Sequence, residues 1–362
     1  MTRRRFRAID TGQREGRANI AFDQAMVELR QTGAIPDTLR FIHFEPCALV
    51  GRHQDLSLEL NLDYCAAHGI GTARRMTGGG AIYLDPGQLG WALVCDRGAF
   101  PGADRAAITR QICEAAAAGL SMLGIDARYR PRNDIEVDGR KISGTGGFFD
   151  GSTLIFQGTV LVDLDPATIT GALNVPQAKL AKRSLDDAGA RITTLAALLG
   201  TAPPLPAVQA ALRRGFEQRL GLVFDDAQPS DAEEQAARRC YDDEIGTDAF
   251  VAEIDGAALR AGVRAGSVQS PGGLVSAHVR LDGAGQDRIR EILFTGDFFV
   301  APPRLIFDLE SSLRGVSIAA APDAIGRFFA ALPAGGLLSI GPGDFSAAFE
   351  AALVSDPASA PA

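Results

Sequence analysis

The stretch Arg74-Arg75-Met76-Thr77-Gly78-Gly79-Gly80-Ala81-Ile82-Tyr83 joins two arginines, three consecutive glycines and a short apolar run. Glycine loses more backbone freedom on folding than any other residue, so three in a row favour a place where the backbone bends sharply or approaches another group closely. Arginine is the side chain best suited to phosphate or carboxylate. The stretch therefore predicts an anion-binding loop, and a hairpin turn flanked by solvated arginines is the alternative.

A second stretch points to the same chemistry: Arg132-Asn133-Asp134-Ile135-Glu136-Val137-Asp138-Gly139-Arg140-Lys141-Ile142-Ser143-Gly144-Thr145-Gly146-Gly147. The dipeptide Asp138-Gly139 suits a tight primed turn and predicts a hairpin. Lys141 then lies on one arm, beside a run of small residues. A lysine beside glycines can reach a phosphate whose backbone contacts the glycines allow. An exposed lysine on a surface hairpin is the alternative.

Length and charge limit the classes of function. The chain has 362 residues, which favours two domains, one of them large. It is 46% hydrophobic and 22% charged, as is usual for a globular protein, and its formal net charge is −8. An acidic protein is not expected to bind nucleic acid nonspecifically. Any anion site must therefore be a local cluster of basic residues.

Cysteine usage and hydropathy bear on the compartment. The five cysteines are scattered and form no Cys-x-x-Cys motif, which argues against a zinc site or a disulfide framework and fits a reducing cytoplasm. No apolar segment follows the basic N-terminus, and no run of eighteen apolar residues occurs. We therefore expect a cytoplasmic protein that does not associate with membranes. A monomer is the default expectation.

The pattern of apolar residues predicts an α/β (α+β) protein of two domains. In the first part, strands at Thr38–Phe44 and Cys47–Val50 follow a helix that Asn19 is expected to cap. From residue 270 the pattern changes to two strands followed by three helical stretches. We predict a large domain with a mixed β-sheet at residues 1–250, and a small α+β accessory domain at residues 260–362.

Together the two stretches resemble the lipoate–protein ligase family, whose fold is shared with biotin ligases and octanoyl transferases. The segment that contains Gly296-Asp297-Phe298-Phe299 resembles the small accessory domain of such ligases. The resemblance covers nearly the whole chain and implies a biotin/lipoate-ligase-like catalytic domain. The further segments that carry it are residues 9–12, 19–23, 51–54, 156–161, 173–180, 191–195 and 272–315.

The resemblance implies an ATP-dependent enzyme that activates lipoate or octanoate as an acyl-adenylate with Mg²⁺. It then transfers the acyl group to an acceptor lysine of a lipoyl domain or another lipoate-binding carrier protein. Lys141 is similar to the lysine that bridges the acyl carbonyl and the phosphate, Arg75 to the arginine that holds the phosphate, and Asp134 to a residue near the metal. The other implied binding residues are Thr77, Gly78, Gly79, Gly80, Ala81, Ile82, Tyr83, Asn133, Ser143 and Gly144.

Two departures and three alternatives accompany this interpretation. Leu84 and Gln157 stand where ligases of this family often have histidine. An octanoyl transferase carries its acyl group on a cysteine, but none lies between Cys113 and Cys240, which are both expected in the core. The Gly-Arg-Gly-Arg-x-Gly-Arg run of biotin ligases is missing. A noncatalytic lipoate-binding protein is disfavoured because the basic residues and glycines are intact.

Overall fold

The computed structural model describes residues 4–131, 133–174, 192–256, 260–332 and 339–357. Arg132 and residues 175–191, which include parts of two ligase-like segments, lie outside the described residues, as does the end of the chain. The chain forms two compact units. The first contains Met1–Ala48, Asp63–Ala73 and Tyr83–Thr247; the second contains Leu49–Leu62, Arg74–Ile82 and Asp248–Ala362.

The described strands form three sheets. An eight-stranded sheet has the order β11-β1-β2-β6-β10-β9-β8-β7, and two three-stranded sheets have the orders β12-β13-β14 and β4-β3-β5. The strands are β1 (Arg4–Arg14), β2 (Thr38–Phe44), β3 (Cys47–Val50), β4 (Gly71–Arg74), β5 (Ile82–Leu84), β6 (Gln88–Asp96), β7 (Arg128–Arg130), β8 (Asp134–Val137), β9 (Arg140–Asp150), β10 (Thr153–Leu161), β11 (Leu222–Asp226), β12 (Arg264–Ser270), β13 (Gly273–Asp282) and β14 (Arg288–Gly296).

In the large sheet β1 runs parallel to β2 and β11, whereas the other neighbours are antiparallel, so the predicted mixed sheet is confirmed. The described helices are α1 (Gly16–Gln31), α2 (Leu56–Glu59), α3 (Leu62–Ala67), α4 (Arg105–Ser121), α5 (Pro166–Ala172), α6 (Leu195–Leu199), α7 (Leu205–Leu220), α8 (Asp231–Cys240), α9 (Asp248–Val251), α10 (Leu305–Leu313), α11 (Ala321–Ala330) and α12 (Pro342–Leu353). None of the described helices is long and apolar enough to span a bilayer.

The two faces of the large sheet carry different contacts. Trp91 of β6 packs against Phe216 of α7 and lies in the main hydrophobic core with α4. On the opposite face, buried Arg40 of β2 forms an ion pair with Asp23 of α1, to which Gln157 also donates a hydrogen bond. Successive strand residues point to opposite faces. The Gln157 departure therefore belongs to a buried polar network and not to the apolar core.

The second unit contains its own core. Strands β12, β13 and β14 pair antiparallel, and α10, α11 and α12 cover them with apolar side chains. The predicted strands and three helices are present at β13, β14 and α10 to α12. Strand β12 was not predicted because Ala265, Gly266 and Ser267 have little intrinsic preference for strands.

Candidate functional site

The Lys141 hairpin lies in the first unit. Strands β8 and β9 pair across Asp138 and Gly139, which both adopt positive φ, 51° and 75°, as a type I′ turn requires. A register shift in this pair places Lys141 opposite Glu136. A Cβ atom at Gly144 would lie 2.8 Å from Lys141 Nζ. Glycine at position 144 is therefore what leaves room for the ammonium group.

The Lys141 ammonium group has a carboxylate partner. Its Nζ lies 2.8 Å from Asp134 Oδ1, and the two side chains are 36% and 20% exposed. The other carboxylate oxygen of Asp134 accepts a hydrogen bond of 2.7 Å from Arg130. Arg130 also lies 3.1 Å from Glu136. An anion that binds Lys141 must therefore compete with Asp134, and Asp134 already interacts with two cations.

The residues around Lys141 differ in whether their polar side chains are hydrogen-bonded. Asn133 Nδ2 donates to the carbonyl of Thr145 at 2.7 Å, and the Thr145 amide donates back to Asn133 at 2.8 Å, so Asn133 holds the hairpin in shape. The hydroxyl groups of Ser143 and Thr193 are buried and have no hydrogen-bond partner among the described residues. The Thr193 amide donates to the Lys141 carbonyl at 2.8 Å. One of these two hydroxyl groups thus belongs to β9, the strand of Lys141, and the other to the segment bonded to the Lys141 carbonyl.

The glycine loop, residues 74–82, lies in the second unit, and its two arginines differ. Arg74 is 1% exposed, and burial lowers its pKa to about 10, so it remains a cation at neutral pH. Its guanidinium group donates to five main-chain carbonyl groups: those of Gly51, Arg52, Gln54, Phe250 and Val251. Arg74 therefore connects the loop at 51–54 to the end of α9. This is a structural role.

Arg75 closes the glycine loop on itself. Its Nη2 donates to the carbonyls of Gly78 at 2.9 Å and Gly80 at 2.8 Å. Burial, with the nearby charge of Arg74, lowers its pKa to about 10. Its Nη1 is buried and has no partner among the described residues. A buried donor without a partner costs free energy, so among the described residues Nη1 is the unsatisfied side-chain donor of this loop.

The glycines lie against the turn after β14. The Gly79 amide donates to the Phe298 carbonyl at 3.1 Å, and Gly79 has a φ of +95°. A Cβ atom at Gly78 would overlap the Phe298 carbonyl oxygen, and one at Gly79 would lie 2.5 Å from the Phe299 ring. The loop is therefore no solvated hairpin, and that alternative is wrong. Thr77 is buried, and its carbonyl accepts from the Arg52 amide at 2.9 Å.

The predicted site residues are thus distributed over both units. The first unit contains Tyr83 and the predicted residues of the Lys141 hairpin, namely Asn133, Asp134, Lys141, Ser143 and Gly144. The second unit holds Arg75, Thr77, Gly78, Gly79, Gly80, Ala81 and Ile82.

Three of these residues lie in or beside strand β5. Ala81 and Ile82 are half-buried, whereas Tyr83 is buried. Burial, and after it the negative charge of Asp85, raises the pKa of Tyr83 to about 12. Leu84, the second departure, is buried beside it, where an apolar side chain is favourable.

The described residues do not form a resident metal centre. They contain no group of three or more histidine, cysteine, aspartate and glutamate side chains that could hold an ion. Asp134 is the only predicted metal ligand, and its oxygens bind Lys141 and Arg130. Magnesium typically binds through one or two carboxylates together with substrate phosphates. A single carboxylate, Asp134, therefore fits a magnesium ion that is held mainly by the phosphate oxygens of a ligand.

All five cysteines lie within the described residues. Burial raises the pKa of Cys47 and Cys113 to about 12 and that of Cys240 to about 11, and it also raises the pKa of Cys65 and Cys95. A nucleophilic cysteine needs a lowered pKa and access to substrate. Cys113 is fully buried, and its Sγ lies 3.3 Å from the Thr145 hydroxyl. None of the five has the environment of an acyl-carrying thiolate.

Comparison with known proteins identifies the family. Residues 15–217 match the lipoyl protein ligase A/B catalytic domain. The octanoyltransferase LipM of Symbiobacterium thermophilum is 29% identical over 266 residues, which cover 67% of this chain and 96% of that protein. A chain from the archaeal lipoylation system of Thermoplasma acidophilum, described as a bipartite lipoate protein ligase and its E2 lipoyl domain, is 26% identical with a TM-score of 0.61.

That similarity covers 69% of this chain and 97% of the archaeal chain. A lipoate–protein ligase A structure bound with ATP has a TM-score of 0.59 and 26% identity, over 69% of this chain and 99% of that one. These similarities confirm the predicted resemblance and the predicted fold, and they include both ligases and an octanoyltransferase. The chain belongs to the lipoyl protein ligase A/B catalytic domain family.

Proposed function

We propose that this protein is an ATP-dependent lipoate–protein ligase. In the first half-reaction the carboxylate oxygen of lipoate, or octanoate, attacks the α-phosphorus of MgATP, and pyrophosphate leaves. In the second, the amine of a carrier lysine attacks the acyl carbonyl, loses its proton, and AMP leaves. The ATP-bound ligase and the archaeal ligase with its lipoyl domain support the nucleotide and a lipoyl-domain acceptor.

The observation that carries this proposal over acyl transfer is the state of the cysteines. An octanoyl transferase holds its acyl group as a thioester, which requires a reactive thiolate. Here burial raises the pKa of every cysteine. In a ligase the nucleophile is the carrier lysine, so the enzyme needs cations and no nucleophile of its own. Lys141 and Arg75 are the cations that the predicted roles require.

Their surroundings support separate tasks for the two cations. The Lys141 ammonium group is partly exposed and binds the carboxylate of Asp134. It can therefore leave that carboxylate and bind a phosphate oxygen or an acyl carbonyl oxygen instead. Arg75 has a buried Nη1 that is unpaired within the described part of the chain and is available for a phosphate oxygen. Preorganised cations stabilise the charge that develops in the transition state. This arrangement favours the adenylation of a carboxylic acid, in which one anion must approach another.

The first test measures adenylation without a carrier. The purified protein is incubated with MgATP and lipoate or octanoate, and released pyrophosphate and bound acyl-AMP are quantified. We expect the native protein to form acyl-AMP and Lys141→Ala to lose about 10²–10³ in rate. Arg140→Ala is the matched control, because it removes the neighbouring cation of the same strand. Absence of acyl-AMP from the native protein with both acids contradicts the proposal.

The LipM similarity makes octanoyl transfer the second candidate. It is tested with an octanoyl-carrier thioester and an apo-lipoyl domain in the absence of ATP. A ligase leaves the lipoyl domain unmodified in this assay and modifies it only with MgATP and free acid. Cys113→Ser should leave ligation unchanged, whereas a transferase that depends on this thiol would lose its activity.

A further inference from the structure

The Gly296–Phe299 turn after β14 and the glycine loop are held together by main-chain and ring contacts within the second unit. The Phe298 carbonyl accepts a hydrogen bond from the Gly79 amide at 3.1 Å, and a Cβ atom at Gly79 would lie only 2.5 Å from the Phe299 ring. These contacts surround the residue with φ of +95°. The turn thus fixes the one glycine of the loop whose backbone conformation other residues rarely adopt.

The turn itself is firmly anchored. Phe298 is fully buried, and its ring stacks on His53 at a centroid distance of 5.1 Å and meets Phe345 edge-on at 5.5 Å. The Gly296 amide donates to the His53 carbonyl at 2.8 Å, and the Phe299 amide donates to Ser339 at 3.1 Å. Phe299 is half-buried and lies at the end of this anchored segment. Its backbone is therefore fixed by the buried neighbour Phe298 and by the bond to Ser339.

The consequence reaches Arg75. The carbonyls of Gly78 and Gly80, on either side of Gly79, both accept from Arg75 Nη2. This geometry depends on the orientation of the peptide groups around Gly79. While it persists, Nη2 is occupied, and Nη1 has no partner in the described ranges. If Gly79 rotated, the two carbonyls would turn away and the guanidinium group would lose its fixed direction.

We propose that Phe299 is a positioning residue for adenylation: its ring holds Gly79, and Gly79 in turn holds Arg75 with Nη1 directed at the nucleotide phosphate. The inference rests on the proposed ligase function. Phe299 acts through Gly79 and needs no contact with substrate. A displaced phosphate-binding group should weaken the use of MgATP and leave binding of the acid largely unchanged.

The test compares Phe299→Ala, Phe299→Leu and Phe328→Ala. Phe328 is a matched control because it is also a half-buried phenylalanine of the second unit, where it packs against the core. Hydrogen exchange of the segment 76–82 is measured without substrates, since the Gly79 amide is protected by Phe298. The KM values for MgATP and lipoate, and kcat, are measured from pyrophosphate release.

We expect Phe299→Ala to speed exchange in the segment and to raise the KM for MgATP about tenfold or more, with the KM for lipoate changed less than about twofold. Phe299→Leu should restore most of both properties, and Phe328→Ala should change neither. A native-like or lower KM for MgATP in folded Phe299→Ala overturns the inference. If Phe299→Ala does not fold, a KM for MgATP in Phe299→Leu equal to that of Phe328→Ala, with unchanged exchange, overturns it as well. A native protein that forms no acyl-AMP refutes the ligase function itself, and the exchange data then still report the contact.

Discussion

The Lys141 hairpin and the glycine loop hold their cations in opposite ways. Lys141 is half-exposed and pairs with the carboxylate of Asp134 at 2.8 Å. Arg75 forms no ion pair among the described residues, and its Nη2 binds two carbonyl oxygens of its own loop. The hairpin is thus locally neutral before substrate binds, whereas the glycine loop keeps a positive charge that only main-chain dipoles stabilise.

The difference bears on how each region responds to change. A side chain at the end of a flexible stem can move when its surroundings change, so the hairpin should tolerate substitution structurally and show the effect in its chemistry. The glycine loop is enclosed by main-chain atoms of residues 51–54 and 298, which cannot move independently. Substitutions in the glycine loop should therefore lower folding stability where they disturb these main-chain contacts. They should lower the rate of adenylation where they remove the guanidinium group of Arg75.

The adjacent arginines give the largest expected effects. Arg74→Ala would remove the guanidinium donor from five carbonyl groups, of which Gly51 and Phe250 also accept from main-chain amides, and should lower the free energy of unfolding by about 3 kcal/mol or more. Arg75→Ala removes fewer contacts and should cost little stability, but should slow acyl-AMP formation by about 10²–10³. Thermal unfolding and pyrophosphate release, measured on both variants, separate the two roles. If both variants lost stability equally, the functional assignment of Arg75 would lose its structural basis.

Two glycine substitutions, one in each region, should have effects of intermediate size on stability or activity. Gly78→Ala places a Cβ atom on the Phe298 carbonyl, which is rigid backbone, and should destabilise the protein by about 1–3 kcal/mol. Gly144→Ala places one 2.8 Å from Lys141 Nζ, which can rotate away, so stability should change by less than about 0.5 kcal/mol. The displaced ammonium group should nevertheless slow adenylation about tenfold.

Gly285→Ala is the control for these two variants, because no atom lies within 4 Å of the added Cβ and the backbone there has no positive φ. It should match the native protein in both stability and activity. A Gly144→Ala variant with native activity would show that the position of Lys141 Nζ in this structure is not the one that reacts. A Gly78→Ala variant with native stability would show that the glycine loop is less tightly enclosed than its contacts indicate.

The sequence predicted local features well and distant partners poorly. Strands β2 and β3 begin and end where the apolar pattern predicts, and Asp138-Gly139 forms its turn. Both depend on neighbouring residues. By contrast, Asn19 does not begin a helix. Helix α1 begins at Gly16, and the Asn19 side chain, inside the helix, donates to the His43 carbonyl and accepts from Arg40.

The same limit applies to the candidate site. Nothing in the pair Arg74-Arg75 says which arginine is structural, since the five carbonyls that satisfy Arg74 come from residues 51–54 and 250–251. The contact of Phe299 with Gly79 joins residues far apart in the chain, and no periodicity reports it. One signal was available for the buried network: Arg40 lies inside a mostly apolar strand and therefore needs a buried partner, which is Asp23.

The comparison extends to buried acids and gives the smallest expected effect. In the first unit, Asp23 forms an ion pair with Arg40. In the second unit, Glu310 accepts a hydrogen bond from the Phe294 amide and has no other donor among the described residues. Burial raises the pKa of Glu310 from 4.5 to about 8; the Phe294 amide lowers it, the nearby Glu253 raises it further, and Arg314 and Arg52 lower it. Folded Glu310 therefore keeps its proton at neutral pH.

Because the folded pKa lies above the unfolded one, the native state binds more protons between pH 4.5 and about 8, and stability falls as pH rises through that range. Glu310→Gln keeps the acceptor for Phe294 and has no proton to lose. We expect it to match the native protein near pH 5 and to be more stable by about 2 kcal/mol at pH 9. Urea unfolding at both pH values measures this. Parallel curves for the two proteins would mean that Glu310 is ionised in the fold, so that the second unit, like the first, satisfies its buried charges.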